Sequence, residues 1–133
     1  MKILLDTHVW IWSQVQKDEL GRQAIAYLKD QQNSLFVSTI STLEIARLSQ
    51  AGRIEISGKL NEWIKKSLHY LICETILLSH EIALMAYNLP GSFHRDPVDR
   101  ILVATSLCND LMLMTADERI LLYPHIKTIS AKG

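Results

Sequence analysis

Short apolar blocks that stop at a small or acidic residue alternate along the chain with longer stretches whose apolar positions recur every three to four residues. Lys2 to Leu5 stops at Asp6, Leu35-Phe36-Val37 runs into Ser38-Thr39, and Leu111-Met112-Leu113-Met114 runs into Thr115. Continuous apolar runs this short predict strands buried on both faces. The helical period predicts helices over about Gly21 to Gln32, Thr42 to Ala51, Lys59 to Leu68, Ser79 to Asn88 and Pro97 to Cys108. Tyr70-Leu71-Ile72 and Lys127-Thr128-Ile129 are candidate further strands, the second a short edge. Strand followed by helix, repeated, requires crossover connections, hence an α/β fold with a mostly parallel sheet covered on both faces. No Pro/Gly/Ser-rich linker or repeat interrupts the pattern, so residues 1–133 are expected to form one domain.

Composition narrows the class. At 133 residues and 48% apolar content the chain suits one packed core. Lys and Arg number 14 and so do Asp and Glu. A formal charge of zero argues against holding nucleic acid by bulk attraction alone. No apolar run approaches the roughly 20 residues that cross a bilayer, and Asp6 interrupts the amino-terminal block too early for a secretory signal. A soluble, cytoplasmic protein is expected, with no membrane contact and with Cys73 and Cys108 as packing residues rather than a disulfide.

The informative feature is what stands just past the strand ends. In open α/β sheets ligands bind beyond the carboxyl ends of the strands, where loops converge and helix amino termini point inward. Asp6 follows the first strand. Glu44 is expected in the first turn of the helix after the second strand, Asp96 and Asp99 open the helix at Pro97, and Asp117 begins the helix after Met114. Each has a structural alternative: Ser41-Thr42-Leu43-Glu44 and Thr115-Ala116-Asp117-Glu118 match the capping box, and Asp96 precedes a proline at the first helical position. Asp6 fits a cap less well, coming straight after so apolar a run.

Taken together the acids call for a counter-ion, because carboxylates about 5 Å apart at an effective dielectric near 20 repel by roughly 3 kcal/mol per pair. Mg²⁺, or Mn²⁺ in its place, prefers oxygen ligands and leaves coordination positions for a phosphate oxygen and a water. That combination describes a phosphodiester hydrolase. With the four acids Asp6, Glu44, Asp99 and Asp117 set aside, 14 less four leaves ten negative charges against 14 positive ones, a mildly basic surround suited to a polyanion.

Four segments resemble the motifs of the PIN-domain family, and within it the VapC toxins of bacterial toxin–antitoxin pairs. They are Leu4-Leu5-Asp6-Thr7-His8 with Trp10 and Trp12, Ser41-Thr42-Leu43-Glu44-Ile45-Ala46, His94-Arg95-Asp96-Pro97-Val98-Asp99-Arg100-Ile101-Leu102, and Thr115-Ala116-Asp117-Glu118. They run in the family's order from Lys2 to about Tyr123. The sequence departs at Thr42-Leu43, where many relatives carry a tryptophan. The resemblance implies a three-layer α/β/α fold and a Mg²⁺-dependent endoribonuclease, usually a homodimer, silenced by a small antitoxin. Carried over by position, Asp6, Glu44, Asp99 and Asp117 are the catalytic, metal-binding acids, and Asp96 is a cap or a support for them.

The remaining candidates surround these acids. Thr115 is placed to orient Asp117 or a metal-bound water, the alternative being a cap of the helix that follows. His94, Arg95 and Arg100 flank the acids of the third motif and suit RNA phosphates, the alternative being that they are solvated or ion-paired with Asp96 and Asp99. Trp10 and Trp12 are core residues by default; partly exposed, they would line a groove for an antitoxin helix or a dimer contact. His8 suits a structural hydrogen bond better than a base. Arg47 and Arg53 suit the solvated surface. A haloacid-dehalogenase-type phosphatase would need a second acid at position 8, which is His8. A non-toxin RNA-processing nuclease and an acid pocket that binds without catalysis are the open alternatives.

Overall fold

The computed structural model describes residues 1–133. Its elements in chain order are β1 (Lys2–Leu5), α1 (Thr7–Val15), α2 (Arg22–Lys29), β2 (Ser34–Ser38), α3 (Thr39–Gln50), α4 (Leu60–Leu71), β3 (Cys73–Ile76), α5 (His80–Met85), α6 (Pro97–Asn109), β4 (Met112–Thr115), α7 (Glu118–Leu121) and β5 (Thr128–Ser130). The five strands form one sheet in the order β3-β2-β1-β4-β5, every pair parallel. β1 is central: Leu4 pairs with Phe36 on one side and Leu113 on the other.

Alternation along the buried strands divides the core into two layers. Ile3, Leu5, Leu35, Val37 and Met114 face one side, where Val9, Trp10, Ile45 and Leu48 cover them, with Trp63, Ile64 and Leu68 of α4 packed alongside. Leu4 and Leu113 face the other side, under Leu102, Val103, Ile120 and Tyr123, with Phe36 alongside. The result is the expected three-layer α/β/α arrangement with a parallel sheet. No helix is long and apolar enough to cross a membrane, and Cys73 and Cys108 are both free thiols.

Local boundaries differ from expectation in instructive places. The Tyr70-Leu71-Ile72 strand does not form: Tyr70 and Leu71 complete α4, Ile72 ends it in the left-handed region at φ 53°, and β3 begins at Cys73. Residues 7–15, for which no helix was expected, form α1. α3 starts at Thr39 because the Ser38 hydroxyl accepts the Ile40 N–H, so Ser41 is not its cap and Glu44 lies in the second turn rather than the first. α7 is capped by Asp117, whose carboxylate accepts from Arg119 and Ile120, so Thr115 is not a helix cap.

The sheet order reverses between β1 and β4, since the chain winds outward through β2 and β3 and then returns to β1's other side. That reversal opens a crevice at the carboxyl ends of β1 and β4, the place where doubly wound sheets bind ligands. The Asp6 N–H extends the ladder by donating to the Met114 carbonyl at 3.0 Å, which ties the first acid to the end of β4.

Candidate active site

Asp6 sits where β1 becomes α1 and is almost wholly buried. It caps α1: Oδ1 accepts the Thr7 N–H at 2.6 Å, and Oδ2 accepts the Thr115 hydroxyl at 2.6 Å. Burial pushes its carboxyl above the ordinary value, and Glu44 adds to the rise; the hydrogen bonds from Thr115 and Thr7 and the charge of His8 oppose it without cancelling it. Capping and charge crowding are therefore properties of the same side chain, not alternatives. Thr115 links the acids, because the oxygen that donates to Asp6 also accepts the Asp117 N–H at 3.0 Å.

The second acid is delivered by a helix start. Asp96 caps α6, accepting the N–H groups of Val98 and Asp99 at 2.9 and 3.1 Å, and Pro97 takes the first helical position, where no N–H is needed. Asp99 thus emerges from the first turn, with only 14% of its side chain exposed and Oδ2 held 2.8 Å from His94 Nε2. Burial, then the negative charges of Asp6, Asp96 and Asp117, push its carboxyl up to about 7 despite the Arg119 guanidinium. Asp117 behaves oppositely: burial raises it, but Arg119 and the N–H groups at the start of α7 outweigh that and hold it below the ordinary range.

α3 brings the fourth acid. Its buried Ser41 accepts the Thr7 hydroxyl at 2.9 Å, pinning α3 to α1 and so placing Glu44 on the Asp6 side of the rim. Glu44 keeps Arg47 at 3.9 Å. The rim is therefore graded: Glu44 acts on Asp6, and Asp6, Asp96 and Asp117 act on Asp99.

Several flanking candidates are placed differently from expectation. Arg100 does not face a substrate: Nε donates to the Ala86 carbonyl, Nη1 to the carbonyls of Phe93 and His94, and the guanidinium lies 5.0 Å from the Tyr87 ring centre. It clamps the loop before α6. Trp10 is 0% exposed and offers nothing to a partner; Nε1 donates to Ser67 and its ring stacks on Trp63. Trp12 is half-buried beside His8 and 4.4 Å below Lys132 Nζ. His8 is exposed and makes its contact through that ring, not through the expected structural hydrogen bond. Arg95 is exposed and engages no acid, whereas Arg119, which sequence spacing did not single out, bridges two. An opposite charge two residues after a capping aspartate was its only sequence signal.

No three acid, histidine or cysteine side chains stand close enough to cage a metal ion outright. The donor set nonetheless fits a hard divalent cation. It is all oxygen, and two of its carboxyls lie in surroundings that penalise their charged form. Mg²⁺ is commonly held by one or two carboxylates with water completing its shell, not by an all-protein cage.

One consequence is measurable without substrate. Folded Asp99 keeps its proton to about pH 7 while the unfolded chain releases it near 3.8. The folded state binds the extra proton between those values, so this contribution to stability is full below about pH 4 and is lost as the pH rises through 7. In chelator, Asp99→Asn should therefore be more stable than the parent at pH 8, with the gap closing toward pH 4. Urea unfolding at the two pH values checks this.

Residues 3–125 match the family model described as PIN domain. A curated relative, Ribonuclease VapC22 of Mycobacterium tuberculosis, is 28% identical over 128 residues, covering 96% of each chain. Among solved structures, DNA-bound VapBC from Salmonella typhimurium matches with a TM-score of 0.70 at 14% identity, and VapBC2 from Rickettsia felis bound to a promoter DNA fragment with 0.67 at 16%, each covering 98% of both chains. At those identities the two structures show the shared fold.

Proposed function

Because the chain belongs to the PIN-domain family, we propose that it is a divalent-cation-dependent endoribonuclease that serves as the toxin of a toxin–antitoxin pair. The observation that carries this is the buried pair Asp6 and Asp99, both held above their ordinary carboxyl range at the β1/β4 crevice. Asp6 and Asp99 would hold Mg²⁺ or Mn²⁺, with Glu44 and Asp117 completing the rim. When bound, such an ion makes water more acidic and neutralises charge building on a phosphate.

The chain's own residues do the rest by positioning. Thr115 and the Thr7 N–H fix both Asp6 oxygens, Asp96 sets the first turn that carries Asp99, and His94 fixes Asp99 Oδ2. Arg100 holds the backbone of His94 by its carbonyl, so it supports the site from behind. Arg95, exposed next to the Asp96 cap of α6, suits an RNA phosphate.

The name of the curated relative supports RNA as substrate, and the likeness to a solved toxin-antitoxin complex from Klebsiella pneumoniae supports an antitoxin partner. On this reading the protein acts in the cytoplasm, where RNA and a co-expressed antitoxin would both be met. Trp12 is the tryptophan left to contact the antitoxin. Exposed Leu77, Leu84 and Tyr87, on and beside α5, suit a second copy of the chain.

Purified protein, free of antitoxin, should fragment total RNA in Mg²⁺ or Mn²⁺ and leave it intact in EDTA. Cleavage that survives exhaustive chelation contradicts the cation requirement. Intact RNA under every divalent ion would make the acid pocket a binding module. Expression alone should arrest growth, and co-expression of the neighbouring small reading frame should restore it; unimpaired growth with active protein points to an RNA-processing nuclease instead.

A further inference from the structure

Arg119, the second residue of α7, is a cation at the rim to which the mechanism above gives no task. Its side chain turns back over the start of its own helix, with Nη2 3.0 Å from Asp117 Oδ2 and Nε 3.4 Å from Asp117 Oδ1. The same Nη2 lies 3.8 Å from Asp99 Oδ2. No other lysine or arginine forms an ion pair with either carboxylate; His94 is the remaining partner of Asp99. The arginine side chain is 60% exposed and makes no hydrogen bond to any other residue, whereas Asp99 is fixed by its helix start and by His94.

Resting on the ribonuclease assignment, we propose that Arg119 is a tethered, exchangeable counter-ion. It neutralises Asp99 and Asp117 while no divalent ion is bound, gives way to the ion, and then takes a non-bridging oxygen of the RNA phosphate. Nη2 stands 3.8 Å from Asp99 Oδ2, one of the carboxylates that would hold the ion, so a bound ion would bring a second positive charge close to the guanidinium, and two cations that close repel strongly in a partly buried cleft. Displacement needs only rotation of a long, solvent-facing side chain. Once released, the guanidinium stays on the rim through α7, and its planar fork fits phosphate oxygens as well as carboxylates. A resident cation that must leave first lowers the ion's apparent affinity by the fraction of molecules whose site is open.

The test is calorimetric titration of Mn²⁺ into the full chain, purified without antitoxin, for the parent and for Arg119→Gln. Lys29→Gln, at the end of α2 beside the amino-terminal end of β2, controls for the loss of one net charge. Arg119→Gln should bind Mn²⁺ roughly tenfold more tightly, Lys29→Gln should match the parent, and the KM of Arg119→Gln for an RNA oligomer at saturating Mn²⁺ should rise several-fold. Mn²⁺ affinity in Arg119→Gln that is unchanged or weaker overturns the exchange. Tighter Mn²⁺ binding with an unchanged KM overturns the phosphate contact. Failure of parent and variant alike to bind Mn²⁺ removes the cation site itself, and with it the assignment on which Arg119 depends.

Discussion

Asp99→Asn should lower RNA cleavage by at least about a hundredfold while leaving the metal-free protein as stable as the parent or more so. Cation stabilisation of a phosphoryl transition state is worth several kcal/mol, and each 1.4 kcal/mol is tenfold in rate. The stability half follows from the surroundings: Asp99 is a buried carboxyl among Asp6, Asp96 and Asp117, and asparagine keeps an oxygen for His94 while removing the charge. Asp6→Asn should be as inactive but less neutral structurally. Both Asp6 oxygens already accept, from Thr7 and from Thr115, and an amide has one acceptor oxygen, so one donor loses its partner. Single-turnover cleavage together with urea unfolding in chelator separates the two effects. An Asp99→Asn protein that unfolds while the metal-free parent stays folded would mean that Asp99 serves the fold and not the cation.

Trp10→Ala should cost about 3–5 kcal/mol of stability, a large share of what a domain of this size has. The ring has no exposed surface, stacks on Trp63 with centres 5.9 Å apart, and donates Nε1–H to Ser67 at 2.9 Å, joining α1 to α4. Alanine leaves a cavity where α1 meets the sheet and loosens the helix whose cap is Asp6. Trp10→Phe keeps most of the packing and loses the hydrogen bond, so it should cost about 1 kcal/mol. Denaturant midpoints at constant slope check both. Weakened antitoxin binding by Trp10→Ala would therefore report a damaged fold; Trp12→Ala is the substitution that probes a surface.

Strands β1, β2 and β4 were legible because central parallel strands are apolar on both faces and stop at a polar residue. β3 was not. It is an edge strand, Cys73-Glu74-Thr75-Ile76, without an apolar run, and the apolar Tyr70-Leu71 just before it belongs to the last turn of α4. α1 was missed for the opposite reason: Thr7, Val9, Trp10, Ile11 and Ser13 are all buried, so the helix shows no polar stripe, and its β-branched and aromatic residues favour extended structure. The acids were legible through their position past strand ends, a local property. The Thr115 bond to Asp6 spans 109 positions and the Thr7 bond to Ser41 spans 34, and the assignment of Arg100 to backbone carbonyls depends on the path of a loop. Such pairings follow from tertiary packing, which no local spacing encodes.

The most direct test of the central claim is anomalous diffraction from crystals soaked in Mn²⁺ at a concentration that supports RNA cleavage. One ordered peak bounded by the carboxylates of Asp6 and Asp99, absent from Asp99→Asn crystals, is the predicted result. No peak at the β1/β4 crevice, with Mn²⁺ ordered elsewhere or nowhere, would contradict it.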